Sequence, residues 1–244
     1  SDHYTILHLW NFSKKQMWLR KQNGAVSFHT QEINVKVTAE TRVEVTLLNP
    51  RLDSRLLVSE MMILFNSLAA KFFVENHIPA IYRHQSYPSL NDYSDTEFQQ
   101  ASKNEISKNY YLVRNLPQTK LTGEPLPHYS LGLPNYIQIT SPLRRYTDML
   151  LQRQIVHFIN YSKFLYSQDT LEHFAFSTYS RVKNIKLVEK QRQKYWLIKY
   201  LENVLNNRDC SVRHLSYSAI VLEKSNYGKK SLVQIIELGF RQRI

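Results

Sequence analysis

Cysteine, glycine and long apolar runs are scarce in this chain of 244 residues. The single cysteine, Cys210, excludes a disulfide framework and leaves no cysteine pair for a zinc site. With a mean hydropathy of −0.43 and no apolar run of about 18 residues, the sequence predicts no membrane span. Hydrophobic residues nevertheless make up 43% of the chain and aromatic residues 12%, which favours a folded protein over a disordered one.

Acidic residues are also few, and the resulting charge is unevenly distributed. The chain has 32 lysines and arginines against 20 acidic residues, a net charge of +12. Residues 1–130 hold 14 cations and 12 acids, whereas residues 131–244 hold 18 and 8. An excess of ten positive charges in one half indicates a polyanionic partner, with nucleic acid first and a membrane surface second. A solvated basic face explains the same count, so the charge alone leaves these alternatives open.

Apolar periodicity predicts an α+β fold with helices packed on a mixed or antiparallel sheet. An alternating pattern over 33–37 and 43–47 predicts a hairpin, and 136–140 reads as a single strand. A second hairpin, 217–222 with 232–236 and a turn at Asn226–Gly228, is typical of the start of a small β-barrel. We therefore expect two domains, 1–209 and 210–244. The predicted helices are 5–22, 54–76, one near 95–110, 143–160 and 170–205.

Two regions carry acidic side chains whose role the residues leave open. Helix 54–76 is apolar nearly all round, so we expect it to be buried, and it contains Glu60 and Asn66. A carboxylate there needs a partner or a function, and the residues alone favour a structural ion pair for Glu60. Asp92, Asp95 and Glu97 form the only acidic cluster with spacing suited to a metal, but the start of a helix explains them better.

Residues 128–161 (HYSLGLPNYIQITSPLRRYTDMLLQRQIVHFINY) carry the strongest site signal. Ser141 suits an N-cap and Pro142 a first helical position, which predicts that Arg144 and Arg145 lie in the first helical turn. Cations are unfavourable at this end of the helix dipole, so two of them beside unpaired N–H groups indicate a phosphate site. The alternative is a surface ion pair between Arg144 and Asp148, worth about 0.3–0.5 kcal/mol.

The same segment resembles the signature of the ribonuclease II/R (RNB) family, Thr-Ser-Pro-Ile-Arg-Arg-Tyr followed by Asp, with Leu143 in place of Ile. Upstream, SEMMILFNSLAAKFF and IPAIYRHQ resemble that family's Glu–Asn helix and the strand after it. Gln85 is closer to the cyanobacterial and plastid branch than to the usual His. The resemblance covers most of 5–85 and 128–205, and it implies an RNB-like domain followed by an OB-type RNA-binding module.

What the resemblance implies is a 3′→5′ exoribonuclease that hydrolyses single-stranded RNA processively to 5′-nucleoside monophosphates. Arg144 matches the catalytic arginine that contacts the scissile phosphate. Glu60 matches a carboxylate near the 3′-terminal nucleotide. The remaining RNA-binding candidates, which would line the strand's channel, are Tyr136, Arg83, Arg145 and Asn66.

The family's magnesium is held by a run of aspartates that lies upstream of the segment matched by this chain. We therefore expect a Mg²⁺ cofactor whose ligands lie in an upstream portion of the same protein, and no activity from this chain alone. Other interpretations are an inactive RNB-like module that binds RNA and, with less support, a basic scaffold. The resemblance and the many Lys, Asn, Ile and Tyr residues suggest an intracellular place of action, in a plastid or a bacterial cytoplasm.

Overall fold

The computed structural model describes residues 2–27, 32–38, 42–49, 51–88, 95–206, 216–224 and 230–244. The described helices are α1 (Asp2–Gln22), α2 (Asp53–Glu75), α3 (Asp95–Ala101), α4 (Glu105–Asn115), α5 (Tyr146–Tyr161) and α6 (Gln168–Asn206). The strands are β1 (Glu32–Val37), β2 (Val43–Leu48), β3 (Tyr82–His84), β4 (Lys120–Thr122), β5 (Ala219–Glu223), β6 (Leu232–Ile235) and β7 (Phe240–Arg243). Helices combined with antiparallel strands confirm the α+β prediction.

The chain folds into two compact units, each assembled from three segments. The first unit comprises Ser1–Ser27, Arg51–Ser89 and Leu116–Val182. The second comprises Phe28–Pro50, Leu90–Asn115 and Lys183–Ile244. The predicted domain boundary at 209/210 lies outside the described residues and stays a prediction.

The core of the first unit lies where α2 and α5 meet the short extended segments between them. Ala70 and Phe73 of α2 are fully buried, and they pack in one cluster with Ile137 and with Leu151 of α5. Small residues at 69 and 70 allow close packing, while Phe73 supplies most of the buried apolar area on this face. The core therefore fixes α2 against the segment 136–140, where the sequence motif begins.

Helix α2 begins and ends within one residue of its predicted bounds, but it is not buried all round. Val58, Phe65 and Leu68 are more than half exposed, and the buried face carries Glu60 and Asn66. By length and composition alone α2 could cross a membrane, with a mean hydropathy of 1.5, which corrects the expectation that no segment could. The core helix of a water-soluble protein passes the same test, and α2 packs with such a core.

Residues 136–140 do not form the predicted strand. Ile137 makes one isolated antiparallel bridge to Tyr82 of β3, and β3 pairs along its length with β4. Asn66 of α2 accepts the Ile139 N–H at 3.0 Å with its Oδ1, so a side chain takes one of the backbone donors of this segment. The segment is therefore extended but held by the core and by α2.

Helix α5 starts at Tyr146, three residues later than predicted. Residues 141–144 form a turn in which the Arg144 and Arg145 N–H groups donate to the Ser141 carbonyl, and Arg145 is the N-cap residue. Arg144 and Arg145 thus precede the helix instead of lying in its first turn, which corrects the interpretation of Ser141 as N-cap.

The second unit contains the two predicted hairpins. β1 and β2 pair antiparallel with Val35 opposite Val45, as the alternation predicts. β5, β6 and β7 form a three-stranded antiparallel sheet, one strand more than predicted. The predicted turn at Asn226–Gly228 lies outside the described residues. The helix expected near 95–110 is two helices, α3 and α4, separated at Ser102–Asn104.

Candidate nucleic-acid interface

A buried carboxylate organises the turn that carries the two arginines of the motif. Asp148, in the first turn of α5, is fully buried. Its Oδ2 accepts from the Ser141 backbone N–H and from Arg145 Nε, both at 2.9 Å, and from Arg145 Nη2 at 2.6 Å. Arg145 Nη2 also donates to Thr140 Oγ1 at 3.2 Å. One carboxylate therefore holds both ends of the 141–145 turn, because charged hydrogen bonds of this kind are among the strongest in proteins.

Arg144 occupies the outer side of the same turn. It is exposed, and within the part of the chain that the structure describes its guanidinium has no hydrogen-bond or ion-pair partner. The partner of Asp148 is Arg145 at i−3, so the alternative pairing of Arg144 with Asp148 is not what forms. A fork of five N–H donors on a fixed turn is well suited to bind phosphate oxygens.

Arg83 and Tyr136 lie together behind this turn. Arg83 Nη1 donates to Gln138 Oε1 at 2.8 Å, and its backbone N–H donates to the Tyr136 carbonyl at 2.8 Å. Burial lowers the pKa of Arg83, which also interacts electrostatically with Tyr136, Arg145 and Asp148. The structure thus brings together three of the predicted site residues, namely Arg83, Tyr136 and Arg145, around one carboxylate.

Tyr136 and Asn66 are inside the protein. Tyr136 is 5% exposed, and its hydroxyl accepts from Asn66 Nδ2 at 2.9 Å, while burial raises the pKa of Tyr136. Asn66 is 1% exposed and uses its Oδ1 to accept the Ile139 N–H. Both side chains therefore fix the extended segment 136–139 against α2.

Glu60 belongs to a separate clamp within the first unit. Its carboxylate is 3% exposed and bound by both Nε and Nη2 of Arg20, with the Nε–Oε2 distance at 3.0 Å. Arg20 Nη1 also donates to the Leu131 carbonyl at 3.0 Å. The ion pair favoured by the residues alone is present and joins α1 to α2, and the second hydrogen bond of Arg20 ties both helices to the short 3-10 helix Tyr129–Leu131.

Sequence reasoning missed several side chains that shape this region. From the sequence Asp148 is only an alternative partner of Arg144, although it also lies three residues after Arg145, its actual partner. Arg20 lies 40 residues from Glu60, so no spacing rule connects them. His128 packs edge-on against Tyr136, with ring centroids 5.7 Å apart, and its Nδ1 is buried without a hydrogen-bond partner.

Carboxylates and imidazoles do not gather into a metal site among the described residues. No group of three or more His, Cys, Asp or Glu side chains there is arranged to hold a metal ion. Asp148 has one oxygen occupied by Arg145 and Ser141, and the other is sealed inside the protein. The side chains of Asp92, Asp95 and Glu97 lie outside the described residues. The described residues therefore do not fit the role of magnesium ligands.

Comparison with known proteins shows the family to which this chain belongs. The RNB domain model matches residues 2–161. An uncharacterized ribonuclease of Synechocystis sp. is 32% identical over 194 residues, which is 80% of this chain and 28% of the relative. The chloroplastic/mitochondrial ribonuclease II of Arabidopsis thaliana is 28% identical over 93% of this chain and 27% of its own length. These two relatives fit the branch suggested by Gln85.

A solved structure shows the same fold. The crystal structure of an active-site mutant of the Dss1 exoribonuclease from Candida glabrata matches 98% of this chain and 30% of its own chain. The TM-score is 0.81 and the sequence identity is 25%. The chain spans between a quarter and a third of these three relatives. The chain belongs to the RNB family, the ribonuclease II/R family of exoribonucleases.

Proposed function

We propose that this chain supplies the phosphate-binding part of a 3′→5′ exoribonuclease site that acts on single-stranded RNA. The observation that carries the proposal is the exposed Arg144 guanidinium, which has no partner among the described residues, on the turn fixed by Asp148. The family relationship supports RNA degradation in general. Processive release of 5′-nucleoside monophosphates and a place of action in a plastid belong to the same proposal.

Arg144 would contact the scissile phosphate, where hydrolysis adds negative charge to the phosphoryl oxygens. A guanidinium already aimed at that position stabilises the transition state without a reorganisation cost. Arg145 is committed to Asp148 and Thr140, so its role would be to hold the turn and to add positive potential. RNB-family nucleases generally use divalent metal ions. We propose that Mg²⁺ acts here too, with ligands from a part of the protein upstream of this chain.

The other predicted site residues receive different roles in this proposal. Arg83 would add positive potential to the strand's path from its half-buried position. Tyr136 and Asn66 would position the segment that leads into the motif, because their polar atoms are used within the protein. Glu60 would reach the 3′-terminal nucleotide only by sharing its carboxylate with Arg20.

The test is an Arg144→Ala substitution in a longer protein that joins this chain to the proposed upstream portion. We expect kcat on single-stranded RNA to fall by about 10²–10³, as for removal of one transition-state donor, with a smaller change in KM. Arg144→Lys keeps the charge but loses the planar fork, so we expect partial activity. Leu143→Ala alters the neighbouring exposed side chain and is the matched control.

The affinity of the 244-residue chain for a single-stranded oligonucleotide separates binding from cleavage. Loss of one phosphate contact lowers the slope of log Kd against log salt by about 0.7. If Arg144→Ala leaves turnover, affinity and this slope unchanged, the proposal is wrong and the basic face has another role. If it changes affinity while the longer protein cleaves no RNA, the chain belongs to an inactive RNA-binding module.

A further inference from the structure

The second unit contains a basic groove that lies outside the motif and its turn. It has a volume of about 400 Å³ and runs between the outer edge of β1 and the second half of α6. Such a volume lies within the range of ligand-binding clefts, about 300–1,000 Å³. The lining residues are Ile33, Asn34, Val35, Lys186, Glu189, Lys190, Arg192, Gln193 and Trp196.

Helical spacing places the α6 side of the groove on one face. Lys186, Lys190, Gln193 and Trp196 follow one another at intervals of three or four residues, which aligns them along one side of a helix. Gln193 Nε2 donates to the Ile33 carbonyl at 3.2 Å, so this face is joined to the edge of β1. The groove is therefore formed by two elements that contact each other.

The groove is lined by three cations and one acidic residue. Lys186, Lys190 and Arg192 are exposed, and within the described ranges none of them has an ion-pair or hydrogen-bond partner. Glu189 is the single acid in the lining, so the formal charge of the groove is +2. Three unpaired cations close together repel one another, and an anion in the groove removes this repulsion.

An aromatic platform lies at one end of this row of cations. Trp196 alone forms this platform and is half-buried, while the adjacent ring of Tyr195, with its centroid 5.2 Å away, is not part of the groove lining. Aromatic side chains beside a cationic row are the usual means of binding single-stranded nucleic acid, because bases stack on the ring while phosphates meet the cations. Asn34 and Gln193 add amide groups that can contact ribose or base edges.

We propose that this groove binds a segment of single-stranded RNA, with phosphates at Lys186, Lys190 and Arg192 and a base on Trp196. The proposal rests on RNA being the ligand of the chain, as proposed above, but not on the role of Arg144. An anionic membrane fits the groove less well. A membrane-surface helix needs an apolar face separate from its cations, whereas cations lie all round α6 between 181 and 199.

The experiment measures binding of a fluorescent oligouridine to the 244-residue chain by anisotropy at several salt concentrations. For the double variant Lys186→Gln/Lys190→Gln we expect the slope of log Kd against log salt to fall by about 1.4, about 0.7 for each lost phosphate contact. Lys163→Gln removes an exposed lysine that is not part of the groove lining, and we expect its slope to stay at the wild-type value.

Trp196 is tested separately, because stacking is insensitive to salt. We expect Trp196→Leu to weaken binding by about ten-fold at an unchanged slope, and Trp196→Phe to retain most of the affinity. Tyr195→Leu, at the adjacent ring outside the groove, is the matched control. Circular dichroism of each variant checks that its helix content equals that of the wild type.

Several outcomes would contradict RNA binding in the groove without contradicting the proposed role of Arg144. One is a double variant with the wild-type slope and a Trp196→Leu variant that behaves like Tyr195→Leu, while Arg144→Ala still weakens binding. Another is that the Lys186→Gln/Lys190→Gln variant loses binding to vesicles of equal parts phosphatidylcholine and phosphatidylserine but binds oligouridine like the wild type. A chain that binds no oligouridine at all would overturn both proposals.

Discussion

Arg144 and Arg145 are neighbours in sequence but differ in what their charges do. Arg145 donates hydrogen bonds to Asp148 and Thr140, and its side chain is 25% exposed. Arg144 has no such partner among the described residues and points outward from the same turn. A paired guanidinium fixes backbone geometry, whereas an unpaired one remains available to an incoming phosphate. The pair thus combines a positioning residue with a binding residue in two consecutive positions.

His128 is a buried side chain of this region whose pKa lies well below its usual value. Burial, helped by the nearby positive charge of Arg83 and, to a smaller extent, of His84, lowers the pKa of His128 from 6.5 to about 4. The imidazole is 7% exposed, packs against Tyr136, and has no hydrogen-bond partner at Nδ1. The folded protein therefore favours the neutral form of the imidazole ring.

This pKa predicts how stability changes in mild acid. Between pH 6.5 and about 4 the unfolded chain protonates His128 while the folded chain does not, so the unfolded state binds more protons. The contribution of His128 to the free energy of unfolding is thus complete above pH 6.5 and falls as the pH is lowered towards 4. Urea unfolding of the wild type and of His128→Gln at several pH values measures it.

We expect the difference in unfolding free energy between wild type and His128→Gln to shrink as the pH falls through this range. His173 is exposed and lies outside this cluster, so His173→Gln is the control variant. We expect its unfolding free energy to change with pH as that of the wild type does. A constant difference between wild type and His128→Gln at all pH values would contradict the prediction.

At the scale of elements, α1 and α2 are connected by an ion pair, and the backbone at residues 131–132 passes very close to α1. The Arg20–Glu60 ion pair connects the two helices, and Arg20 also holds the Leu131 carbonyl. The next residue, Gly132, has a φ of 63°, and a Cβ there would lie 2.7 Å from the Arg20 carbonyl oxygen. The clamp therefore requires glycine for two reasons, the left-handed backbone and the close approach.

Two glycines of the first unit allow these reasons to be separated. Gly24 also has a positive φ, 84°, but a Cβ there would meet nothing within 4 Å. We expect Gly24→Ala to cost about 1 kcal/mol from backbone conformation alone. Gly132→Ala should cost clearly more, because backbone atoms cannot move aside as a flexible side chain does. Chemical denaturation of both variants measures the difference, and equal losses would rule out the steric contribution.

Local patterns in the sequence predict most elements but not the turn of the motif. The bounds of α2 and the register of β1 with β2 follow from apolar periodicity, which is a property of neighbouring residues. The Ser-Pro pair is typical of a helix start, yet α5 begins at Tyr146. Asp148 explains the difference, since its carboxylate takes the Ser141 N–H and Arg145 together and stabilises a turn before the helix.

Long-range partners are the part of the site that spacing cannot predict. The residues alone indicated a phosphate site at Arg144 and Arg145 and favoured a structural ion pair for Glu60, while the resemblance to the RNB family implied the catalytic role of Arg144. Neither indicated that Arg20 would bind Glu60, or that Asn66 would hold Tyr136 from 70 residues away. Such pairs depend on how α2 packs against other segments of the first unit, which is a consequence of the whole core.

For the whole molecule, the excess of positive charge divides into paired and unpaired cations. Arg20 and Arg145 are bound by buried carboxylates and add little to the surface potential. Arg144, in the first unit, and the groove cations Lys186, Lys190 and Arg192, in the second, are unpaired among the described residues. Each unit thus offers positive charge to a polyanion by itself.

We predict that the isolated chain binds RNA without degrading it. The described residues provide unpaired cations for phosphates but no group of three or more metal-ligating side chains, and phosphodiester hydrolysis with divalent ions needs such a group. We expect the purified 244-residue chain with Mg²⁺ to shift a 5′-labelled single-stranded RNA in a binding assay while the RNA stays at full length. An Arg144→Ala preparation purified in the same way controls for contaminating nucleases. Release of 5′-nucleoside monophosphates by the wild-type chain, absent from the Arg144→Ala chain, would contradict the prediction, because it would locate a complete hydrolytic site within these residues.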